Sequence, residues 1–154
     1  RPSGRGVDIP QDIPMKITSR HVTGCYQSVV DNGRNHGIVL DLPEGKKGDN
    51  VGATALELAA MALAGCISTI WAVVAHNSNV SYRKMVVELD IDKPDNAPTF
   101  TTSKALVKVD SDEDQEKLER ILTKTLEACP VGKLFEQAGI ETQTTLEKTT
   151  LLDA

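Results

Sequence analysis

The sequence contains no CxxC, CxH or HxxxH spacing, and His21, His36 and His76 are scattered along it. A local zinc signature is therefore absent, and neither a metal nor a cofactor is expected. Cysteine is scarce as well. An odd count of 3, at Cys25, Cys66 and Cys129, does not form the disulfide framework of a small secreted domain and points to a reducing, cytoplasmic compartment. Positive charge is in short supply: 17 Lys and Arg face 22 Asp and Glu, for a formal charge of -5. That balance gives no electrostatic reason to bind nucleic acid or an anionic membrane surface. No apolar signal-peptide core is found in residues 1–14, "RPSGRGVDIPQDIP". They read as an arm, or as residues foreign to the natural chain ahead of a start at Met15.

What is present fits one soluble domain, expected over residues 15–154. Of the 154 residues, 40% are apolar and 25% charged, enough to bury a core without staples. The longest apolar stretch, Leu58 to Ala75, approaches the length of a minimal membrane span. About half of it is Ala, Gly, Ser or Thr, and no second span follows, so it reads as a core helix.

Alternation in "MKITSRHV", "CYQSVV" and "HGIVLDL", broken at Gly24 and at "DNGRN", predicts a strand, a break and a hairpin. A polar Gly-rich loop, "PEGKKGDNVGA", leads to the long helix. Thr54 is placed to cap that helix in a capping box with Glu57, and "NSN" stops it after His76. "RKMVVELDID" and "TFTTSKALVKVD" predict a second hairpin. From Ser111 the period changes to that of an amphipathic helix, with Leu118, Ile121, Leu122 and Leu126 on one stripe, ending near Cys129. Pro130 suits the first position of a short helix that Gly139 ends, and "IETQTTLEKTTL" supplies a last strand. The order βββ, α, ββ, αα, β indicates an α+β fold with largely antiparallel pairing. Because the long helix is apolar on nearly all sides, a second copy of the chain is expected to cover part of it as a homodimer.

Read within its own helix, Cys66 is a small core residue. Its neighbours three and four positions away, Ala62, Leu63, Thr69 and Ile70, offer no base and no cation. Cys129 differs. Followed by Pro130, it takes an N-cap-like position where free N–H groups and the helix dipole favour a thiolate, so on local chemistry it is the better candidate for a lowered pKa. A helix-junction residue chosen for size is the alternative.

"GATALELAAMALAGC" leading into a long helix, with "CPVGKLFEQAG" about sixty residues later, resembles the OsmC/Ohr family of organic hydroperoxide resistance proteins, in its OsmC-like branch. The resemblance runs from Met15 to the C-terminus. It implies an intertwined homodimer with strand groups around central helices, and an antioxidant thiol peroxidase of the oxidative stress response. It also implies roles: Cys66 attacks an organic hydroperoxide and becomes a sulfenic acid, Cys129 resolves it as a disulfide, and a dithiol such as dihydrolipoamide reduces the pair. The family's catalytic glutamate, ten residues before the first cysteine, falls on Leu56, with Glu57 one place nearer. Nine helical steps put Glu57 about 180° around from Cys66. The family's arginine position falls on Cys25 and Tyr26, so Arg20 and Arg34 are the candidates to support the site, with Lys46 and Lys47 also close enough in sequence to substitute from the loop. Cys25 could also serve as an alternative disulfide partner, and His76 reads as a partner of the helix dipole. Two other readings share the fold: a non-enzymatic small-molecule-binding protein with Cys66 lining its cleft, and a thiol redox sensor.

Overall fold

A computed structural model describes residues 15–150, so the arm expected over residues 1–14 lies outside the described residues. The chain divides into two compact units, with the boundary between Leu56 and Glu57.

In the first unit, β1 (Thr18–His21), β2 (Ser28–Asp31) and β3 (Gly37–Leu40) form an antiparallel sheet in the order β1-β2-β3. The expected "DNGRN" turn joins β2 to β3. Asp31 Oδ1 accepts the Gly33 N–H at 3.0 Å and Asn32 Oδ1 accepts the Arg34 N–H at 2.9 Å, local bonds that favour a turn over continued pairing. One boundary differs from the expectation: Cys25 and Tyr26 lie in the turn between β1 and β2, not in a strand. The cause is Gly24, whose φ of 90° reverses the chain, and a Val22 N–H to Gln27 carbonyl bond of 2.9 Å closes the loop.

The Gly-rich loop after β3 is organised by one carboxylate. Asp41, only 3% exposed, accepts N–H bonds from Leu42 (2.7 Å), Asp49 (3.0 Å) and Val51 (3.1 Å). Burial alone would raise its pKa, but these backbone donors outweigh burial and hold the carboxyl below the ordinary range. Gly48 makes the closure possible, since a Cβ there would stand 1.8 Å from the Leu42 carbonyl oxygen.

The second unit is built on α1 (Ala55–Asn77), which begins directly after Thr54. Its buried residues, Leu63, Ile67, Trp71 and Ala75, recur every four positions and make a single stripe. Burying each large apolar side chain contributes about 1.5–3 kcal/mol. The sheet of this unit comprises β4 (Lys84–Asp92), β5 (Thr102–Asp110) and β6 (Thr142–Lys148), with β5 in the centre. β4 pairs antiparallel and β6 parallel to β5. Ala105, Val107 and Val109 on alternate positions of β5 enter the core, as period two requires. Arg83 ties the hairpin ends together through Nε to Asp110 (2.8 Å) and a terminal nitrogen to Asp112 (2.7 Å).

Helix α2 (Gln115–Ala128) starts four residues after the change of period because Asp114 is its cap, accepting the Lys117 N–H at 2.7 Å. Leu118, Ile121 and Leu122 are buried as expected. Helix α3 (Pro130–Gln137) follows at once, and its Phe135 stacks on Phe100 with ring centres 6.1 Å apart.

Asp41→Asn replaces an acceptor-only group with one that presents donors to three N–H groups. A lowered folded-state pKa means that this carboxylate stabilises the fold above the unfolded value, roughly pH 3.9, and ceases to do so as the pH falls. Thermal melts across pH are expected to show Asp41→Asn several degrees less stable at pH 7, with the gap closing towards pH 3.

Candidate active site

Two helices bring together residues 63 positions apart in the chain. Cys66 lies midway along α1 and is half-buried; Cys129 is the N-cap of α3 and is only 1% exposed. Their sulfurs are 2.9 Å apart, with the Cys129 thiol donating to Cys66 Sγ. Both are free thiols. The Cys129 position follows from local rules. Pro130 at the first helical turn cannot continue α2 and has the φ to start α3. The cap sulfur then accepts the Gly132 N–H at 3.3 Å.

That cap does not lower the Cys129 pKa, contrary to the sequence expectation. Burial, assisted by the thiol of Cys66, pushes it up to about 11, and the Gly132 N–H only partly offsets this. A helix N-terminus stabilises an adjacent anion by about 0.3–1 kcal/mol, less than burial and a neighbouring sulfur remove. Cys129 is thus held as a thiol and provides Cys66 with a hydrogen-bond donor.

The helical neighbours of Cys66 are as bland as the sequence indicates. Leu63 and Ile67 are buried. The hydroxyls of Ser68 and Thr69 turn back to their own helix, donating to the Ala64 (3.1 Å) and Gly65 (2.9 Å) carbonyls. Glu57 is exposed in the first turn of α1. Nine residues of continuous helix set it about 13 Å along the axis from Cys66, so the two are not brought together within α1. The other candidates belong to the first unit. Arg20 forms an ion pair with Asp31 and holds that carboxyl below its ordinary range. Arg34 sits in the β2–β3 turn. Cys25, half-buried, donates its thiol to the Val22 carbonyl at 3.4 Å. His76 is in the last turn of α1, where a dipole partner was expected. Among the described residues no cluster of His, Cys, Asp and Glu could hold a metal ion. The sequence reading did not identify two residues that shape the units, the Asp41 carboxylate and the Gly132 amide. Neither left a specific signal, since an Asp two places before a Gly-rich loop and a Gly two places after Pro130 do not by themselves announce these contacts.

Fold and site together define an α+β protein with a facing cysteine pair carried by a long apolar helix and the cap of a short one. The OsmC family model, described as OsmC-like protein, matches residues 47–145, and the chain belongs to this family. Solved structures share the fold at low identity. An OsmC-like protein of Mycoplasma pneumoniae is 12% identical, with a TM-score of 0.79 over 90% of this chain and 99% of that one. An organic hydroperoxide resistance protein OsmC of Legionella pneumophila is 14% identical, with a TM-score of 0.67 over 88% and 97%. The organic hydroperoxide resistance protein OhrB of Bacillus subtilis is 18% identical, with a TM-score of 0.62 over 88% and 98%. No curated protein matches the chain. The family match favours reading α1 as a core helix of a soluble fold, although its length and composition would suffice to cross a membrane.

In Cys66→Ser the sulfur that helps to raise the Cys129 pKa is gone, but burial remains. Alkylation of Cys129 by iodoacetamide in that variant is expected to stay slow through neutral pH and to rise with a midpoint above that of a free cysteine peptide. A midpoint at or below the peptide value would show that the helix cap outweighs burial.

Proposed function

We propose that this protein is a cytoplasmic, homodimeric thiol peroxidase that reduces organic hydroperoxides through Cys66 and Cys129. The 2.9 Å contact between the two sulfurs carries the reading. The Cys66 thiolate attacks the terminal oxygen of ROOH, the O–O bond breaks, and ROH leaves with a proton as Cys66 becomes a sulfenic acid. The Cys129 sulfur then attacks the Cys66 sulfur, expelling water and closing the disulfide. A dithiol returns both cysteines to thiols and is itself oxidised. The Cys129 thiol donates to the sulfur that must carry charge, while its raised pKa keeps it from competing as a thiolate for the peroxide. Hydroperoxide resistance proteins of the same fold support this substrate class. Glu57, Arg20 and Arg34 are proposed as supporting residues.

Assembly as a homodimer is supported by the surface of α1. Opposite its buried stripe the helix exposes Met61 (59%) and Val73 (51%), with Ala62, Gly65, Thr69 and Ala72 also exposed. Small residues at helical spacing allow two helices to approach closely. In the first unit, Val29, Ile38 and Val39 are 40–41% exposed on a sheet of only four-residue strands, which needs cover for stability.

Consumption of cumene hydroperoxide with a dithiol reductant tests the chemistry. Wild type is expected to turn over, Cys66→Ser to fall to the background rate, and Cys129→Ser to make a dimedone-trappable sulfenic acid but slow at least about tenfold in steady state, or 1.4 kcal/mol. Equal rates for wild type and Cys66→Ser would end the peroxidase reading. For the assembly, a Cβ at Gly65 meets nothing within 4 Å in the single chain, so Gly65→Leu should fold with unchanged helicity. Light scattering is expected to show a dimer for wild type and a shift to monomer for this variant.

A further inference from the structure

Beside α3 lies a cleft of about 580 Å³ that reaches one of the two cysteines and not the other. Cys129 is part of its wall, with Leu63 and Ile67 of α1 and Thr142 of β6, whereas Cys66 is not. The wall also carries three carboxylates, Glu127, Glu136 and Glu141, and a single ammonium, Lys133. All four are exposed. Lys133 pairs with Glu136 at 2.7 Å and also feels Glu127, so three carboxylates against one ammonium, with Glu127 and Glu141 in excess, leave the field in the cleft negative.

We propose that this cleft admits the reducing dithiol to the sulfur of Cys129, and that Glu127 and Glu141 select against anionic thiols. The inference rests on the reading of Cys66 and Cys129 as a redox pair. In the oxidised protein a thiolate of the reductant attacks Cys129 Sγ, the Cys66–Cys129 bond breaks, and Cys66 departs as thiolate. The second thiol of the reductant then attacks the reductant sulfur of the mixed disulfide. It expels Cys129, which takes up the proton, and the reductant leaves as a cyclic disulfide with two electrons transferred. Three features favour this direction. Only Cys129 borders the cleft. Burial makes its thiol a poor leaving group, so attack on its sulfur with loss of the other is the faster route. Its final release, the harder step, is made intramolecular by the dithiol and is assisted by the Gly132 N–H on the sulfur.

Dihydrolipoamide and dihydrolipoate, alike in a 1,3-dithiol that closes to an unstrained five-membered disulfide and different in charge, provide the test. The full protein is oxidised with diamide and the rate of disulfide reduction is followed at low salt. Wild type is expected to prefer the neutral dithiol, and the preference to shrink at least about threefold in 0.5 M salt, where the screening length falls to a few ångströms. Glu127→Gln/Glu141→Gln should reduce the preference to a similar degree, while Glu119→Gln, the same charge change on α2 outside the cleft, should leave it intact. Brief treatment with mercaptoethanol and quenching with iodoacetamide should leave the mercaptoethanol on Cys129 and the alkyl group on Cys66. No preference in wild type, an unchanged preference in the double variant, or the adduct on Cys66 would each overturn the proposal while leaving the peroxidase reading in place. Failure of diamide to join Cys66 and Cys129 would overturn both.

Discussion

The buried N-cap at Cys129 is the constraint on which the site depends. Pro130 ends one helix and starts the next without a gap, and that junction is carried inward until the cap sulfur is 1% exposed and touches Cys66. An N-cap is ordinarily a wet position with a hydroxyl or carboxylate as acceptor. Here a sulfur fills it, accepts the Gly132 N–H and donates to another sulfur. The two bonds give the pair a polarity. Cys129 remains protonated because it is buried, and Cys66 receives a donor although its own helix offers none.

The second organising feature is the long helix, which is covered along one stripe only. Leu63, Ile67, Trp71 and Ala75 are buried, Met61, Ala62, Gly65, Thr69, Ala72 and Val73 are exposed, and the other apolar residues between them are half-buried. A helix with this composition is stable in water when its other faces are also covered, so the surface that carries the cysteine and the exposed apolar surface are parts of one element. Cys66 stands beside both, three positions from Leu63 on the buried stripe and one from the exposed Gly65.

Most of the fold was legible in the sequence because its signals are local. The period-two runs, the change to a helical period before α2, and the Pro130 and Gly139 punctuation led to the observed elements and their order. The boundaries that moved did so for reasons of cap and turn chemistry: Asp114 delayed α2, and Gly24 turned Cys25 and Tyr26 out of the strand. Asp41 went unidentified because a carboxylate followed by a Gly-rich loop gives no sign that three backbone amides will converge on it. The parallel pairing of β6 with β5 likewise depends on the two helices between them, not on either strand.

From its sequence alone this protein has its element order, its α+β class, its membership in the OsmC family and the pairing of the two cysteines that the fold brings together. Tertiary structure decided that they face each other and that the Cys129 thiol keeps its proton. Propensity and periodicity depend on neighbours within a few residues, which a sequence displays directly. The protonation of a sulfur depends on what surrounds it in space, and for Cys129 that is the loss of water around its own thiol together with the thiol of a residue 63 positions away. The helix dipole at the cap was visible in "CPVGKLF"; the burial that outweighs it was not.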